Sequence, residues 1–318
     1  MFERIIDKLD KQEQQFEQLP ALGKGYEGVP LSMQNFHELE AKPGELCAVD
    51  AGFAELISAS NYSIALLRTA AVIGSKPTIR EWHCLAYCTR EDGKLVLKCE
   101  LEPNSRNAFP IKEFSLSPYD SSYSEGNRMV KLSRVIEQAC RIAELSTTIV
   151  AAKSLKQGTV LVRDGTLEEE ELEKELFNNL YATGVPIVAV AKSSVLLAES
   201  GASISSLLLK NGPKEAWLYH PLFSAIPSTH RAEIYFVKLH QRSSFCFRCE
   251  LHNAEGSLAA VAANSSDLSF PGYPFYLMNA DRYARVSFSE VSLLRTALAS
   301  RLKSRQAADA HEILNQQI

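Results

Sequence analysis

The sequence predicts a mixed α/β fold, with a strand-rich first half and a helical C-terminal end. Three observations support this prediction. Apolar runs typical of strands recur from Leu46 to Leu251, segments of helical periodicity interrupt them, and the composition is that of an ordinary globular chain. With 318 residues, 46% of them hydrophobic and 23% charged, the chain can bury the core of one large domain or two modest ones.

Each predicted element follows from its periodicity and its breakers. A first helix spans Phe2 to Leu19, with its apolar residues on one face, and Pro20 ends it. A helix from about Met129 to Leu145 follows a loop rich in Ser, Pro and Asn. The other predicted elements are strands at 46–50, 63–72, 82–88, 95–101, 160–163, 186–191, 233–239 and 245–251, and helices at 167–182, 274–304 and 308–316.

The order of these elements matches the ribonuclease H-like plan. This plan is a mixed sheet flanked by helices, here with additional strands and a C-terminal helical segment. One acid ends its first strand and another ends the strand after its first central helix, as Asp50 and Asp164 do. Glycines follow almost at once, at Gly52 and Gly165, and without a Cβ the backbone can turn close to a bound phosphate. The two aspartates therefore predict a metal site.

The same plan takes two more ligands from helices. Glu137 and Glu144 lie two turns apart on the first central helix, so they project from nearly the same face. His311 lies on the last predicted helix. Carboxylates suit Mg²⁺ or Mn²⁺, and a histidine shifts the preference toward Mn²⁺. Two such ions, about 3.5–4 Å apart, supply what phosphodiester hydrolysis requires.

Several segments together resemble the NurA nucleases, by their order and spacing. They are Val49–Gly52, Leu161–Leu167, Ala189–Ser194, Ile234–His240, Phe245–Arg248, Phe270–Phe275, Ala280–Arg285 and Ala310–Leu314. The resemblance covers about Glu45 to Leu314. Residues 1–44 are accordingly interpreted as an amphipathic helix and a linker, and residues 45–318 as the nuclease domain.

The resemblance implies a DNA nuclease that uses Mn²⁺ or Mg²⁺, works on DNA ends with a HerA-type hexameric translocase, and forms a dimer around a DNA channel. It implies that the metal ligands are Asp50, Glu137, Asp164 and His311. It further implies that Lys192 contacts the phosphate or the transition state and that Tyr273 lies at the DNA or active-site surface. Glu137 is preferred to Glu144 because Arg134 before it fits the family's arginine-containing helix.

Charge and composition limit the partners. The net charge of −4 excludes a uniformly basic coat for nucleic acid but not a local basic groove. The phosphate contacts are expected from Arg128, Lys131, Arg282 and Arg285. No apolar run approaches the roughly 18 residues of a membrane span, and the N-terminus is charged where a signal peptide is apolar, so a cytoplasmic location is expected. The seven cysteines predict reduced thiols.

Each candidate residue also has an ordinary structural explanation. An aspartate before a glycine is common in turns, Lys192 marks a strand end, and Tyr273 fits a Gly-Tyr-Pro turn. Two other functions compete with the nuclease. One is a non-catalytic subunit that binds DNA or a translocase. The other is an actin-like ATPase or sugar kinase, but the sequence has no later glycine pair suitable for holding an adenosine. Three interpretations stay open for the N-terminal helix: it docks on the translocase, it packs across a homodimer, or it packs on its own domain.

Overall fold

The computed structural model describes residues 2, 16–104, 113–121, 123–124, 128–192, 194 and 196–301. The strands are β1 (Pro20–Ala21), β2 (Glu27–Gly28), β3 (Phe36–Glu38), β4 (Leu46–Ser58), β5 (Tyr62–Ile73), β6 (Lys76–Glu91), β7 (Lys94–Pro103), β8 (Glu113–Leu116), β9 (Val160–Asp164), β10 (Ile187–Ala191), β11 (Leu197–Ala198), β12 (Trp217–Tyr219), β13 (Phe223–Ala225), β14 (Glu233–Lys238) and β15 (Phe247–His252). The helices are α1 (Leu132–Ser154), α2 (Lys174–Tyr181), α3 (Ile204–Asn211), α4 (Leu258–Ala263), α5 (Phe275–Ala284) and α6 (Phe288–Arg301).

These elements confirm the predicted mixed α/β class. The main sheet has 11 strands in the order β3-β12-β14-β15-β10-β9-β4-β5-β6-β7-β8, and β1–β11 and β2–β13 form two small sheets. The chain divides into two compact units: the first contains residues 1–48, 72–75 and 151–279, and the second contains residues 49–71, 76–150 and 280–318. No helix among the described residues combines the length and the apolar character that crossing a membrane requires.

The first unit is organised around the parallel pair β9 and β10. Their apolar runs are buried throughout, apart from the partly exposed Asp164, as expected for parallel strands covered on both faces. The register places Val190 opposite Asp164, and β15 continues the sheet with antiparallel pairing to β10. Asp164 consequently stands at the carboxyl end of β9.

Residues from the N-terminal region form part of the same unit. The Phe36 ring lies 5.0 Å from the Trp217 ring and 4.8 Å from the Tyr219 ring, and the Ser32 amide donates to the Tyr219 hydroxyl at 2.8 Å. The helix predicted over 2–19 falls mostly on residues 3–15, which lie outside the described residues, and its predicted end at Leu19 is wrong, because residues 16–19 are not helical. The sequence-based domain boundary at residue 44 stays a prediction.

The second unit contains long strands joined by tight turns. Strands β6 and β7 pair from Trp82 opposite Pro103 to Glu91 opposite Lys94, and Asp92 and Gly93 close the hairpin with φ angles of +47° and +77°. The short strand β8, within the predicted loop, pairs with β7.

Helix α1 extends beyond the predicted end at Leu145 because its hydroxyl side chains find partners. The Thr147 hydroxyl lies 2.7 Å from that of Thr69, and the Thr148 hydroxyl donates to the Glu144 carbonyl at 2.8 Å. These bonds satisfy the polar side chains that otherwise interrupt the apolar helical pattern.

The structure corrects the prediction that Asp50 ends a strand. Strand β4 continues through Ser58, so Asp50 lies inside it. Gly52 is required for close packing, because a Cβ at this position would lie 2.9 Å from the Ala284 carbonyl oxygen. Gly165 has a φ of +86° and turns the chain directly after β9, while its predicted closeness to a phosphate stays a prediction.

The predicted helix over 274–304 is interrupted between Ala284 and Phe288. The Ser287 amide donates to a Glu290 carboxylate oxygen at 2.9 Å, and the Glu290 amide donates to the Ser287 hydroxyl at 3.3 Å. This reciprocal capping box starts α6. Arg68 of β5 donates to the Glu290 carboxylate at 2.8 Å and anchors the start of the helix. The helix predicted over 308–316 lies outside the described residues.

The Glu290 contacts predict a measurable pH dependence of stability. The hydrogen bond from Arg68, followed by those from Ser287, lowers the pKa of Glu290 from 4.5 to about 2. Its stabilising contribution is therefore present above pH 4.5 and lost as the pH falls toward 2. We expect the difference in unfolding free energy between the parent and Glu290→Gln, measured by urea titration, to stay constant from about pH 7 to about pH 5 and to shrink as the pH falls from 4.5 toward 2. The exposed Glu113→Gln substitution is the control, and a difference that stays constant with pH would contradict the prediction.

Candidate functional site

In the first unit, Asp164 and Lys192 form an ion pair at the carboxyl ends of the two parallel strands. The Lys192 Nζ atom lies 3.0 Å from Asp164 Oδ2, and the two side chains are 44% and 25% exposed. The other oxygen, Asp164 Oδ1, is buried and accepts no hydrogen bond within the described part of the chain. Burying a charged oxygen without a donor is unfavourable, so this carboxylate has an unused binding capacity. Carboxyl ends of strands are where ligands gather in open α/β sheets.

Tyr273 lies beside this ion pair, within the same unit. Its ring centroid is 5.7 Å from Lys192 Nζ, a cation–π distance. The ring is 7% exposed and packs on Phe247 and Phe270. Gly272 before it has a φ of +97°, so the predicted turn is present. Tyr273 is therefore a packed turn residue that also lies against Lys192 of the Asp164–Lys192 ion pair.

The second unit holds a separate set of acids. Asp50 of β4 is 5% exposed and accepts a hydrogen bond from the Ala51 amide at 2.7 Å. Glu144 of α1 is 8% exposed. Burial, followed by the charges of Glu144 and Asp50, raises the pKa of the Cys140 thiol well above its ordinary value. The charge of Glu137 raises the pKa of this thiol in the same direction, and the thiol is one helical turn from Glu144.

Glu137 has different surroundings from Glu144. Its side chain is 41% exposed and forms an ion pair at 2.6 Å with Arg134, three residues earlier on α1. Pairs of this type on an exposed helix surface contribute only a few tenths of a kcal/mol. The arginine that favoured Glu137 in the sequence interpretation is therefore its partner in the structure.

The basic residues proposed for DNA contact are exposed, as phosphate contacts require. Arg285 forms an ion pair at 2.8 Å with Asp281, which lies four residues earlier in the chain. The four basic residues proposed for DNA contact are Arg128, Lys131, Arg282 and Arg285. Their role stays a prediction.

The donor chemistry of these residues fits a hard divalent cation. Asp50, Asp164 and Glu144 offer carboxylate oxygens, and the buried Asp164 Oδ1 has capacity for a cation. Among the described residues, no three His, Cys, Asp or Glu side chains are grouped closely enough to form a ready metal site. His311, the fourth predicted ligand, lies outside the described residues.

Sequence reasoning missed two residues near these candidates. The spacing of Cys140 and Glu144 on a helix is a signal that could have associated the thiol with the acids. The second is Glu250, which accepts a hydrogen bond from the amide of Leu167, three residues after Asp164. Glu250 and Leu167 are far apart in sequence, so only folding brings them together.

Comparisons with known proteins support a relationship over most of the chain. The family model described as the NurA domain matches residues 44–286. A search of curated proteins finds no match. Among solved structures, a crystal structure of NurA is 10% identical, with a TM-score of 0.56 and coverage of 96% of this chain and 97% of the other.

Two further crystal structures share this fold. The NurA nuclease from Sulfolobus solfataricus is 11% identical, with a TM-score of 0.53 and coverage of 96% and 95% of the two chains. A structure of NurA bound to dAMP and manganese is 9% identical, with a TM-score of 0.51 and coverage of 96% and 93%. Identities this low show a common fold, whereas the family match extends over more than half of the sequence.

Proposed function

This chain belongs to the NurA family, and from that membership we propose that it is a divalent-metal-dependent nuclease that hydrolyses phosphodiester bonds in DNA. The relatives support the proposal, since one is described as a nuclease and another as bound to dAMP and manganese. Within this chain, the observation that carries the proposal is the Asp164 carboxylate. One of its oxygens pairs with Lys192 and the other is buried with no hydrogen-bond donor among the described residues.

We assign metal binding to Asp50, Asp164, a glutamate of α1 and His311. For the helix ligand we propose Glu144, the alternative to the Glu137 preferred from sequence. The support is burial: Glu144 is 8% exposed and the Glu137 side chain is 41% exposed, and a bound cation compensates a buried negative charge more than a solvated one. Glu137 as ligand is the competing assignment.

A bound pair of Mn²⁺ or Mg²⁺ ions supplies an activated water and compensates the charge that grows on the phosphate. The protein's own groups provide the rest. Lys192 presents a positive charge beside Asp164, where it can stabilise a phosphate oxygen as its charge increases. The Tyr273 ring, 5.7 Å from Lys192 Nζ, restricts the positions that the lysine can take on that side.

Membership of the family supports a proposal for the wider biological role. We propose that the nuclease acts on DNA ends or single strands during end resection and repair, with a HerA-type hexameric translocase. We further propose that it works as a homodimer in the cytoplasm. Arg282 and Arg285, with Arg128 and Lys131, supply phosphate contacts that weaken as salt increases.

The direct test is degradation of end-labelled single- and double-stranded DNA by the purified full-length protein. We expect nucleotide release with Mn²⁺ or Mg²⁺, none with EDTA, and recovery when Mn²⁺ is added back in excess. The absence of degradation with either metal, even after addition of a HerA-type translocase, would favour a non-catalytic subunit. Hydrolysis of ATP by the nuclease alone would instead favour the actin-like alternative.

A further inference from the structure

Glu250 occupies the centre of a buried polar network behind the Asp164 turn. Its side chain has no exposed surface. Oxygen Oε2 accepts the Leu167 amide proton at 2.6 Å, and Oε1 lies 2.6 Å from a guanidinium nitrogen of Arg248. Leu167 follows Asp164 by three residues. The carboxylate therefore holds the backbone directly after the proposed metal ligand.

The network continues from Glu250 to the N-terminal part of the unit. His230 Nε2 lies 2.9 Å from Glu250 Oε2, and His230 Nδ1 lies 2.8 Å from the Tyr26 hydroxyl. With the proton on Nε2, the histidine donates to Glu250 and accepts from Tyr26, which satisfies both ring nitrogens. The His230 side chain is 1% exposed, so losing either bond leaves a buried polar atom without a partner.

The acidic segment after Leu167 is also tied down. Glu168 pairs with Arg248 at 3.0 Å, and Glu169 makes two hydrogen bonds with Arg231, at 2.6 and 2.9 Å. This result corrects the predicted helix over 167–182, because helical structure begins only with a 3₁₀ turn at Glu171–Glu173. Arginines thus bind Glu168 and Glu169, whereas the exposed Glu171 pairs with Lys174.

Glu250 reaches Asp164 only through the backbone. The register pairs Glu250 with Ala189 and Ala189 with Arg163, so Glu250 shares the sheet face of Arg163. Asp164, the next residue, projects from the opposite face. Although burial favours protonation, the His230 hydrogen bond, Arg248 and the Leu167 amide together lower the pKa of Glu250, which keeps it a charged acceptor.

We infer that Glu250, supported by His230 and Tyr26, is a positioning residue that fixes the Gly165–Leu167 turn and with it the orientation of the Asp164 carboxylate. This inference rests on the proposed function, because it treats Asp164 as a metal ligand. Gly165, with its φ of +86°, permits a wide range of backbone conformations. The Gly165 amide donates to the Val190 carbonyl at 3.1 Å at the start of the turn, and the Glu250 carboxylate holds its other end at Leu167.

The test compares Glu250→Gln and Tyr26→Phe with the parent full-length protein. Hydrogen–deuterium exchange at residues 165–168 reports the turn, and Mn²⁺ titration followed by electron paramagnetic resonance reports the ligand. We expect Glu250→Gln to increase local exchange about tenfold, as for a weakened charge-assisted hydrogen bond. We expect Mn²⁺ binding to weaken about tenfold, as when a partner of a metal ligand is removed. Tyr26→Phe should shift both in the same direction, by less.

Glu233→Gln is the matched control, because it makes the same change at an exposed position on the neighbouring strand β14. It should leave both readouts at parent values. Parent-like exchange and Mn²⁺ affinity in folded Glu250→Gln would overturn the inference; if that variant does not fold, the same result in Tyr26→Phe would overturn it. If the parent binds no Mn²⁺, the proposed function fails, while the exchange measurement still decides whether Glu250 holds the turn.

Discussion

Asp164→Asn is expected to reduce metal-dependent DNA degradation by at least about 100-fold, the loss typical when one preorganised electrostatic group is removed from an active site. Asparagine preserves the size of the side chain but not its charge. The buried Oδ1 position then no longer offers a full negative charge to a cation. The pair with Lys192 is also lost, but a partly exposed pair contributes little to stability, so the variant should stay folded.

The measurement is nucleotide release from end-labelled DNA at saturating Mn²⁺, with thermal unfolding recorded in parallel. Asp92→Asn is the matched control, since it makes the same substitution in the β6–β7 turn, where asparagine tolerates the φ of +47°. Parent-like degradation by Asp164→Asn would remove Asp164 from the proposed catalytic set. A reduced unfolding temperature together with reduced activity would indicate a structural effect.

The second large effect separates the two glutamates of α1. Glu144→Gln is expected to lower degradation by at least about 100-fold, for the same electrostatic reason, whereas Glu137→Gln should remain close to the parent. Glu144 is buried, at 8% exposed. The Glu137 side chain is 41% exposed and already paired with Arg134. The two variants make the same chemical change two helical turns apart, so each is the control for the other.

Rates of nucleotide release and Mn²⁺ affinities, measured for both variants, decide the assignment. A large loss in Glu137→Gln with a parent-like Glu144→Gln would restore the assignment preferred from sequence. Equal losses would mean that both carboxylates take part in metal binding. In that case the exposed pair with Arg134 must open when the metal binds.

Much of the fold was predictable because its strongest signals are local. The apolar runs that became β9 and β10 are short, continuous and bounded by glycine or proline, so their burial follows from composition. The missed elements depend on distant partners. Strand β8 exists through its pairing with β7, and α1 continues past Leu145 because Thr147 meets Thr69 from another strand.

The candidate site shows the same difference between local signals and contacts to distant partners. Asp164 and Lys192 were predictable because each follows a recognisable strand, and parallel strands bring such ends together. The choice between Glu137 and Glu144 was not, because helical periodicity places both on nearly the same face. Burial distinguishes them, and it depends on what packs against α1.

By itself, the sequence determined the α/β class, the family resemblance and the aspartates that end or interrupt the apolar strands, since these depend on residue order alone. Only the tertiary structure decided that Asp50 lies within a strand, that Gly52 is needed for packing against Ala284, and that Glu250 holds the turn after Asp164. The physical reason is the range of the interactions. Periodicity and turn preferences act between neighbours in sequence, whereas burial, hydrogen bonding and ion pairing join residues that only folding brings together.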